Sequence, residues 1–300
     1  MTRPIDHLVL CSSDLSTMAG IYEKLGFTLT PQAHHPFGTS NHLAQLGSSF
    51  IELLSITKPE NISQSKSGLF SFGGYNLAFL SRGDGFSMVA LKSNGWEADR
   101  EHFISCGLDI YDPFEFHRLA EQPDGSEITV GFKLTFATHP EMPWAIFFTC
   151  DHQHEPKYFY KQQFQSHANS AIGIAEVMMV ARNPGLYKSY FESLIGEKSV
   201  TEHDSGLSVD AGSSVINIFR HSDLYERFLG APNISDGETQ MIGYGIHVQD
   251  IIVTEKIMQA NGLNFQKRGK TLWLSGPETA NVILEFSEAH VVNASREMIS

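Results

Sequence analysis

One phrase recurs four times along the chain, and a chain of four like units has few folds open to it. The first copy opens with the strand-like Ile5-Asp6-His7-Leu8-Val9-Leu10 and passes through Ser12-Ser13-Asp14, residues suited to capping a helix. It runs on to Tyr22-Glu23-Lys24-Leu25, stops at Gly26, continues through Phe27-Thr28-Leu29 and closes on Phe50-Ile51-Glu52-Leu53-Leu54. The other copies open at residues 87–91, 176–180 and 244–248 and reach Gly107, Gly196 and Gly262. They close near residues 144–148, 215–218 and 282–286. Aligned on Asp14, Asn94, Asn183 and Asp250, the first-strand positions His7, Ser87, Glu176 and Gly243 precede the glycines by 19, 20, 20 and 19 residues.

Each copy reads as βαβββ. A single such unit cannot bury its sheet, so units must pair. The fold class is therefore α+β, with four βαβββ modules paired into two curled mixed sheets. First strands are expected near residues 5–10, 87–92, 175–180 and 243–249. The two halves are expected at residues 1–150 and 173–300, with 151–172 as a connecting segment.

Composition narrows the function classes. There are 21 Lys and Arg against 34 Asp and Glu, a net charge of −13, and no basic run. That disfavours nucleic acid and anionic membrane surfaces as partners. No apolar stretch is long enough to span a bilayer, and the three cysteines, Cys11, Cys106 and Cys150, are too few for a disulfide scaffold. A reducing, cytoplasmic setting and a monomer or homodimer are expected. The 21 phenylalanines form the core and can also line an apolar pocket, with runs at 114–116, 132–136 and 144–148. Motifs for P-loops, nucleophile elbows, zincins and dinucleotide binding are missing, so no nucleotide cofactor is expected.

The fourfold pattern resembles the vicinal oxygen chelate superfamily, which includes glyoxalase I, methylmalonyl-CoA epimerase, extradiol dioxygenases and bleomycin-resistance proteins. More narrowly it resembles the long glyoxalase-like domain proteins. The stretch His35-Pro36-Phe37-Gly38-Thr39-Ser40-Asn41-His42-Leu43, followed by Leu46-Gly47, is similar to that group's first module. Leu272-Trp273-Leu274-Ser275-Gly276-Pro277-Glu278, leading to Val282-Ile283-Leu284-Glu285-Phe286, is similar to the closing segment of the epimerases and glyoxalases.

The resemblance implies that each metal site draws one ligand from a first strand and a carboxylate from a last strand of two partnered modules. The first-strand slots here are His7, Ser87, Glu176 and Gly243. The last-strand slots are Glu52, Phe147 or Phe148, Asn217 and Glu285. His7, Glu52 and Glu285 suit Zn, Mn, Co, Ni or Fe and meet if modules 1 and 4 pair. His247, two pleats beyond Gly243, is the candidate replacement for the missing fourth ligand. If modules pair 1+2 and 3+4, His7 and Glu52 face Ser87 and Phe147 or Phe148 instead.

Glu52 and Glu285 are the candidate proton carriers. Glu176, on the apolar strand AEVMMV, is a further candidate general base, because burial raises a carboxyl toward neutrality. The dioxygenase relatives need two histidines and a glutamate in the second half, where this chain has Glu176 and Gly243, so isomerase or lyase chemistry fits better. His152 and His154 read as a polar turn. His167-Ala168-Asn169-Ser170-Ala171 resembles a His-Pro-Asn-Gly-Ala stretch of the family and is expected to position the second half. Two functions stay open: an isomerase or lyase, metal-assisted or not, acting on a small, partly apolar molecule, and a metal-free binding protein of the bleomycin-resistance type.

Overall fold

The first strand shows how the chain divides its two faces. Ile5, Leu8 and Leu10 enter one hydrophobic cluster, whereas Val9 and Cys11 enter another. The first cluster also holds Val177, Met179, Tyr244 and Ile246 from the distant second half. Alternation along strands thus sends one face of each sheet into a core shared by both halves. The other face lines a separate bowl in each half.

These features come from a computed structural model, which describes residues 2–63, 66–122, 125–228 and 238–289. The first sheet contains β1 (Ile5–Cys11), β2 (Ala33–His34), β3 (Thr39–Leu46), β4 (Ser49–Ile56), β5 (Gly85–Lys92), β6 (Asp109–Ile110), β7 (Phe114–Glu121), β8 (Glu127–Thr138) and β9 (Ile146–His152). Its order is β2-β3-β4-β1-β5-β9-β8-β6, with β7 also paired to β8. The second contains β10 (Ala171–Val180), β11 (Val200–His203), β12 (Gly206–Ala211), β13 (Ser214–Phe219), β14 (Gln240–Val248), β15 (Gln266–Arg268), β16 (Thr271–Leu274) and β17 (Ile283–Glu288). Its order is β11-β12-β13-β10-β14-β17-β16-β15.

The four first strands of the repeat are β1, β5, β10 and β14, and the fold is the expected α+β arrangement of two curled mixed sheets. Each closing strand lies parallel to its own first strand in one common register: Val9 opposite Glu52, Val89 opposite Phe147, Met178 opposite Asn217 and Gly245 opposite Glu285. Modules join through the antiparallel pairs β1–β5 and β10–β14, so the pairing is 1+2 and 3+4.

The helices follow from local chemistry. Asp14 caps helix Leu15–Lys24 by accepting from the Thr17 amide at 3.0 Å, and Asp250 caps Ile251–Ala260 by accepting from the Ile252 amide at 2.8 Å. Such caps contribute about 1 kcal/mol each. Gly26 ends the first of these helices at φ +89°, and a β-carbon there would meet Asn169 and Ile257 at about 3 Å. No helix among the described residues is long and apolar enough to cross a membrane.

Residues 167–171 stitch module 1 to module 4. The Thr28 amide donates to His167 Nδ1 at 3.0 Å, which leaves Nε2–H to donate to the Gln45 carbonyl at 2.8 Å. Asn169 Nδ2 donates to the Leu25 carbonyl at 2.8 Å, and Thr254 Oγ1 donates to the Asn169 carbonyl at 2.7 Å.

Candidate active site

Two β-bulges shape the bowl of the first sheet. Ile5 lies opposite Leu91 and His7 opposite Ala90, so Asp6 is an extra residue on β1. Val9 lies opposite Met88 and Leu10 opposite Phe86, so Ser87 is an extra residue on β5. A bulge re-aims the side chains around it. Beyond Ser87 the bowl therefore receives Met88 and Ala90, while Val89 turns into the shared core. Their neighbours follow: Phe148 enters the bowl and Phe147 enters the shared core. That settles which phenylalanine occupies the last-strand slot.

The bowl holds a narrow cavity of about 40 Å³ that opens outward. Seven phenylalanines line it: Phe37, Phe50, Phe72, Phe116, Phe132, Phe148 and Phe159. The polar lining is His7, His35, Asn41, Glu52, Arg118 and Cys150. The His7 ring stacks on Phe50 at 4.3 Å between centroids and meets the edge of Phe148 at 5.5 Å.

Two carboxylates flank that imidazole. His7 Nδ1 bonds Asp6 Oδ2 at 2.7 Å, and Nε2 faces Glu52 Oε2 at 3.7 Å. His152 Nε2–H donates to the same Asp6 oxygen at 3.2 Å. Asn41 Nδ2 donates to Glu52 Oε1 at 2.6 Å. A carboxylate on Nδ1–H fixes the tautomer and leaves the Nε2 lone pair turned to the cavity.

The environments drive the two carboxyls apart. Burial raises Glu52 above the usual carboxylate range, against the opposing pull of His7 and the Asn41 amide. Burial would raise Asp6 too, but His152 and His7 hold it well below that range. Shifts in opposite directions suit one carboxyl to donating a proton and the other to staying ionised. His35, bonded through Nδ1 to Thr39 Oγ1 at 2.7 Å, is pushed down to about 3 by burial and by the charge of Arg118, so it is a neutral imidazole.

The bowl of the second sheet is closed by a guanidinium. Arg227, at the end of helix His221–Arg227, donates from Nη1 to Glu176 Oε1 at 2.7 Å and from Nη2 to Glu176 Oε2 at 2.6 Å. The same Nη2 donates to Glu285 Oε1 at 3.0 Å, and Arg268 Nη2 donates to Glu285 Oε2 at 3.1 Å. Asn217 Nδ2 adds a bond to Glu176 Oε1 at 2.8 Å. Arg227 thus forks onto Glu176, and Glu285 accepts one charge-assisted bond from each of two arginines.

This placement corrects the expected three-ligand group. His7 and Glu52 come together, but Glu285 belongs to the other sheet, because modules pair 1+2 and 3+4. Glu285 meets Glu176 instead, through Arg227, and Glu176 is an ion-pair partner and not a carboxyl left alone in an apolar pocket. Position 243 has no room for a ligand, since a β-carbon there would lie 2.4 Å from the Ile283 carbonyl oxygen. His247 does not replace it: it lies opposite Ser287 in the second sheet, away from His7. Asp6, His35, Asn41 and Arg118 escaped the sequence reading. The first three stand in segments already marked as strand or family-like, and Arg118 lies on β7, outside the repeat.

In the pattern the resemblance implies, a metal would draw on four convergent slots, and in the dioxygenase relatives on two histidines and a glutamate. Here His7 and Glu52 fill two slots, Phe148 presents a ring, and Ser87 Oγ–H is committed to Asn76 Oδ1 at 2.9 Å. Asp6, His7 and Cys150 do bring donor atoms within 4.8 Å of one another. In that group, however, Asp6 already serves two imidazoles through one oxygen. Burial and the nearby carboxylates also push the Cys150 thiol up, away from the thiolate that binds metals. The residues present do not fit the four-donor centre.

The family model of the glyoxalase-like domain matches residues 5–195. The chain belongs to that family, and its two sheets have the vicinal oxygen chelate fold. A search of curated proteins finds no match. Among solved structures, a hypothetical protein from Staphylococcus aureus aligns with a TM-score of 0.67 at 14% identity, covering 96% of this chain and 100% of that one. A mutant of 4-hydroxymandelate synthase from Streptomyces coelicolor aligns with a TM-score of 0.56 at 9% identity, covering 95% and 92%. A xylose isomerase-like TIM barrel/4-hydroxyphenylpyruvate dioxygenase fusion protein aligns with a TM-score of 0.55 at 10% identity, covering 95% of this chain and 49% of that one. Likeness at these identities establishes the fold alone.

Proposed function

We propose that the first-sheet cavity is the active site of an isomerase or lyase that moves a proton on a small, partly apolar organic molecule. One observation carries this reading: His7 is held between Asp6 at 2.7 Å and Glu52 at 3.7 Å inside an aromatic cavity. His7 Nε2 takes a proton from a carbon beside a carbonyl; the C–H bond breaks and an N–H bond forms. Asp6 stabilises the resulting imidazolium. Glu52, whose burial favours the neutral form, gives its proton to the carbonyl oxygen, so the product is the enol, which either collapses with a proton on the other face or expels a leaving group. The phenylalanine rings exclude water and strengthen these interactions.

A second reading is sequestration of an apolar ligand without turnover. It is favoured by the bond from Asn41 to Glu52 and by the predominance of aromatic lining. The two separate by exchange. Aryl-substituted ketones and aldehydes are incubated with the protein in heavy water and their α-hydrogens followed by NMR. The wild type should catalyse exchange, and His7→Asn and Glu52→Gln should each lose about 10²–10⁴ of the rate. Compounds that bind but never exchange would leave sequestration as the account.

A further inference from the structure

Arg118 stands where the cavity opens outward. With His35, Leu43 and Phe159 it lines both the narrow cavity and a wider groove outside it. Its guanidinium makes a single long bond, from Nη1 to the Leu119 carbonyl at 3.4 Å, and no carboxylate among the described residues forms an ion pair with it. Burial draws its pKa downward, yet a guanidinium stays charged. Glu52 is near enough to oppose that shift but makes no direct ion pair with the guanidinium, and a ligand carboxylate at the mouth would supply one.

The approach to the cavity has the same sign. The groove is lined by Lys58, Arg118 and Lys161 against Glu127, although the whole chain has 21 basic and 34 acidic residues. A local cationic entrance on an acidic protein concentrates anions at that entrance. Inside, Asn41 Oδ1 is buried with no hydrogen-bond partner among the described residues. Its amide nitrogen is fixed by Glu52, so this carbonyl is left to accept from a ligand.

We propose that the cavity takes an apolar, aromatic monocarboxylate, its carboxylate forked onto Arg118 at the mouth and its hydrophobic body among the phenylalanine rings. This names the substrate class of the acid–base reading and rests on that reading only for the identity of the cavity. A guanidinium forks onto carboxylate and phosphate alike, and carboxylate is favoured because one cation at the mouth balances one negative charge, whereas a phosphate brings about −1.5 to −2 toward an apolar cavity.

The test uses the full chain and four probes: phenylacetate, 3-phenylpropanoate and their two primary amides, titrated calorimetrically. Each acid should bind at least about tenfold more tightly than its amide, a difference of about 1.4 kcal/mol, and added salt should shrink the gap. Arg118→Gln should bring the acids down to the level of the amides, and Arg118→Lys should keep part of the preference. Thermal melts confirm that both variants fold. Acids and amides binding alike, or a preference that survives in Arg118→Gln, overturns the proposal and leaves the acid–base reading standing. Failure of every probe to bind also overturns it. Acid preference through Arg118 without any proton exchange supports the proposal and removes the acid–base reading instead.

Discussion

Glu52 and Asp6 lie on either side of one imidazole and answer pH in opposite senses. Glu52 has its folded pKa raised by burial. Its contribution to stability is full below the ordinary glutamate value of about 4.3 and is lost as pH rises through the raised value. Glu52→Gln keeps an acceptor for Asn41 and should be more stable than wild type at about pH 8, with the advantage fading toward about pH 4. Asp6 has its folded pKa lowered, burial being outweighed by His152 and His7. Its contribution is present above the ordinary value of about 3.9 and is lost as pH falls through the lowered one. Asp6→Asn should therefore cost about 2–3 kcal/mol at neutral pH and progressively less in acid. Urea midpoints across the pH range measure both, and a Glu52→Gln deficit that grows with pH would contradict the assignment. His7 and Glu52 were legible because each stands on an alternating strand at a repeat position. Asp6 was not, because strict alternation sends it to the opposite face, and only the bulge seen in three dimensions turns it toward His7.

At the scale of elements, the short helix His221–Arg227 decides the fate of the second bowl. Its Arg227 joins Glu176 and Glu285 with side chains 22%, 10% and 9% exposed, so the group is shielded from water. Arg227→Met should destabilise the chain by about 3–5 kcal/mol, since it leaves Glu176 without a counter-ion and Glu285 with Arg268 alone. Adding Glu176→Gln should recover part of that loss. Chemical denaturation reads both, and binding in the first bowl should not change; a neutral Arg227→Met would show that the ion pairs do no structural work. Nothing local in LYERF marks this arginine as a partner of residues about fifty positions away. The repeat gave the strands, since each module repeats its own register. Which modules share a sheet depends on contacts between strand edges, and no periodicity records them.

For the whole molecule, the two halves depend on each other through the core between them. Tyr22 and Tyr244, both fully buried, share a hydrogen bond across it at 2.5 Å. Tyr22→Phe or Tyr244→Phe alone leaves one buried hydroxyl without its partner and should cost about 1–3 kcal/mol, whereas the double variant should cost less than the sum. A thermodynamic cycle on the four proteins measures the coupling, and strict additivity would mean that the hydroxyls act independently. Residues 167–171 tie the same seam, so unfolding followed by probes in either half should show one transition.

The shared core also sets the two bowls on opposite outer faces, each with its own lining. A mutation that alters the floor of one has the shared hydrophobic core between it and the other. The second bowl, with Arg227 in its centre, can thus act as ballast, giving the molecule buried surface and a rigid backing. The first is left free to vary its lining residues, and its specificity can drift by small steps without each step endangering the fold.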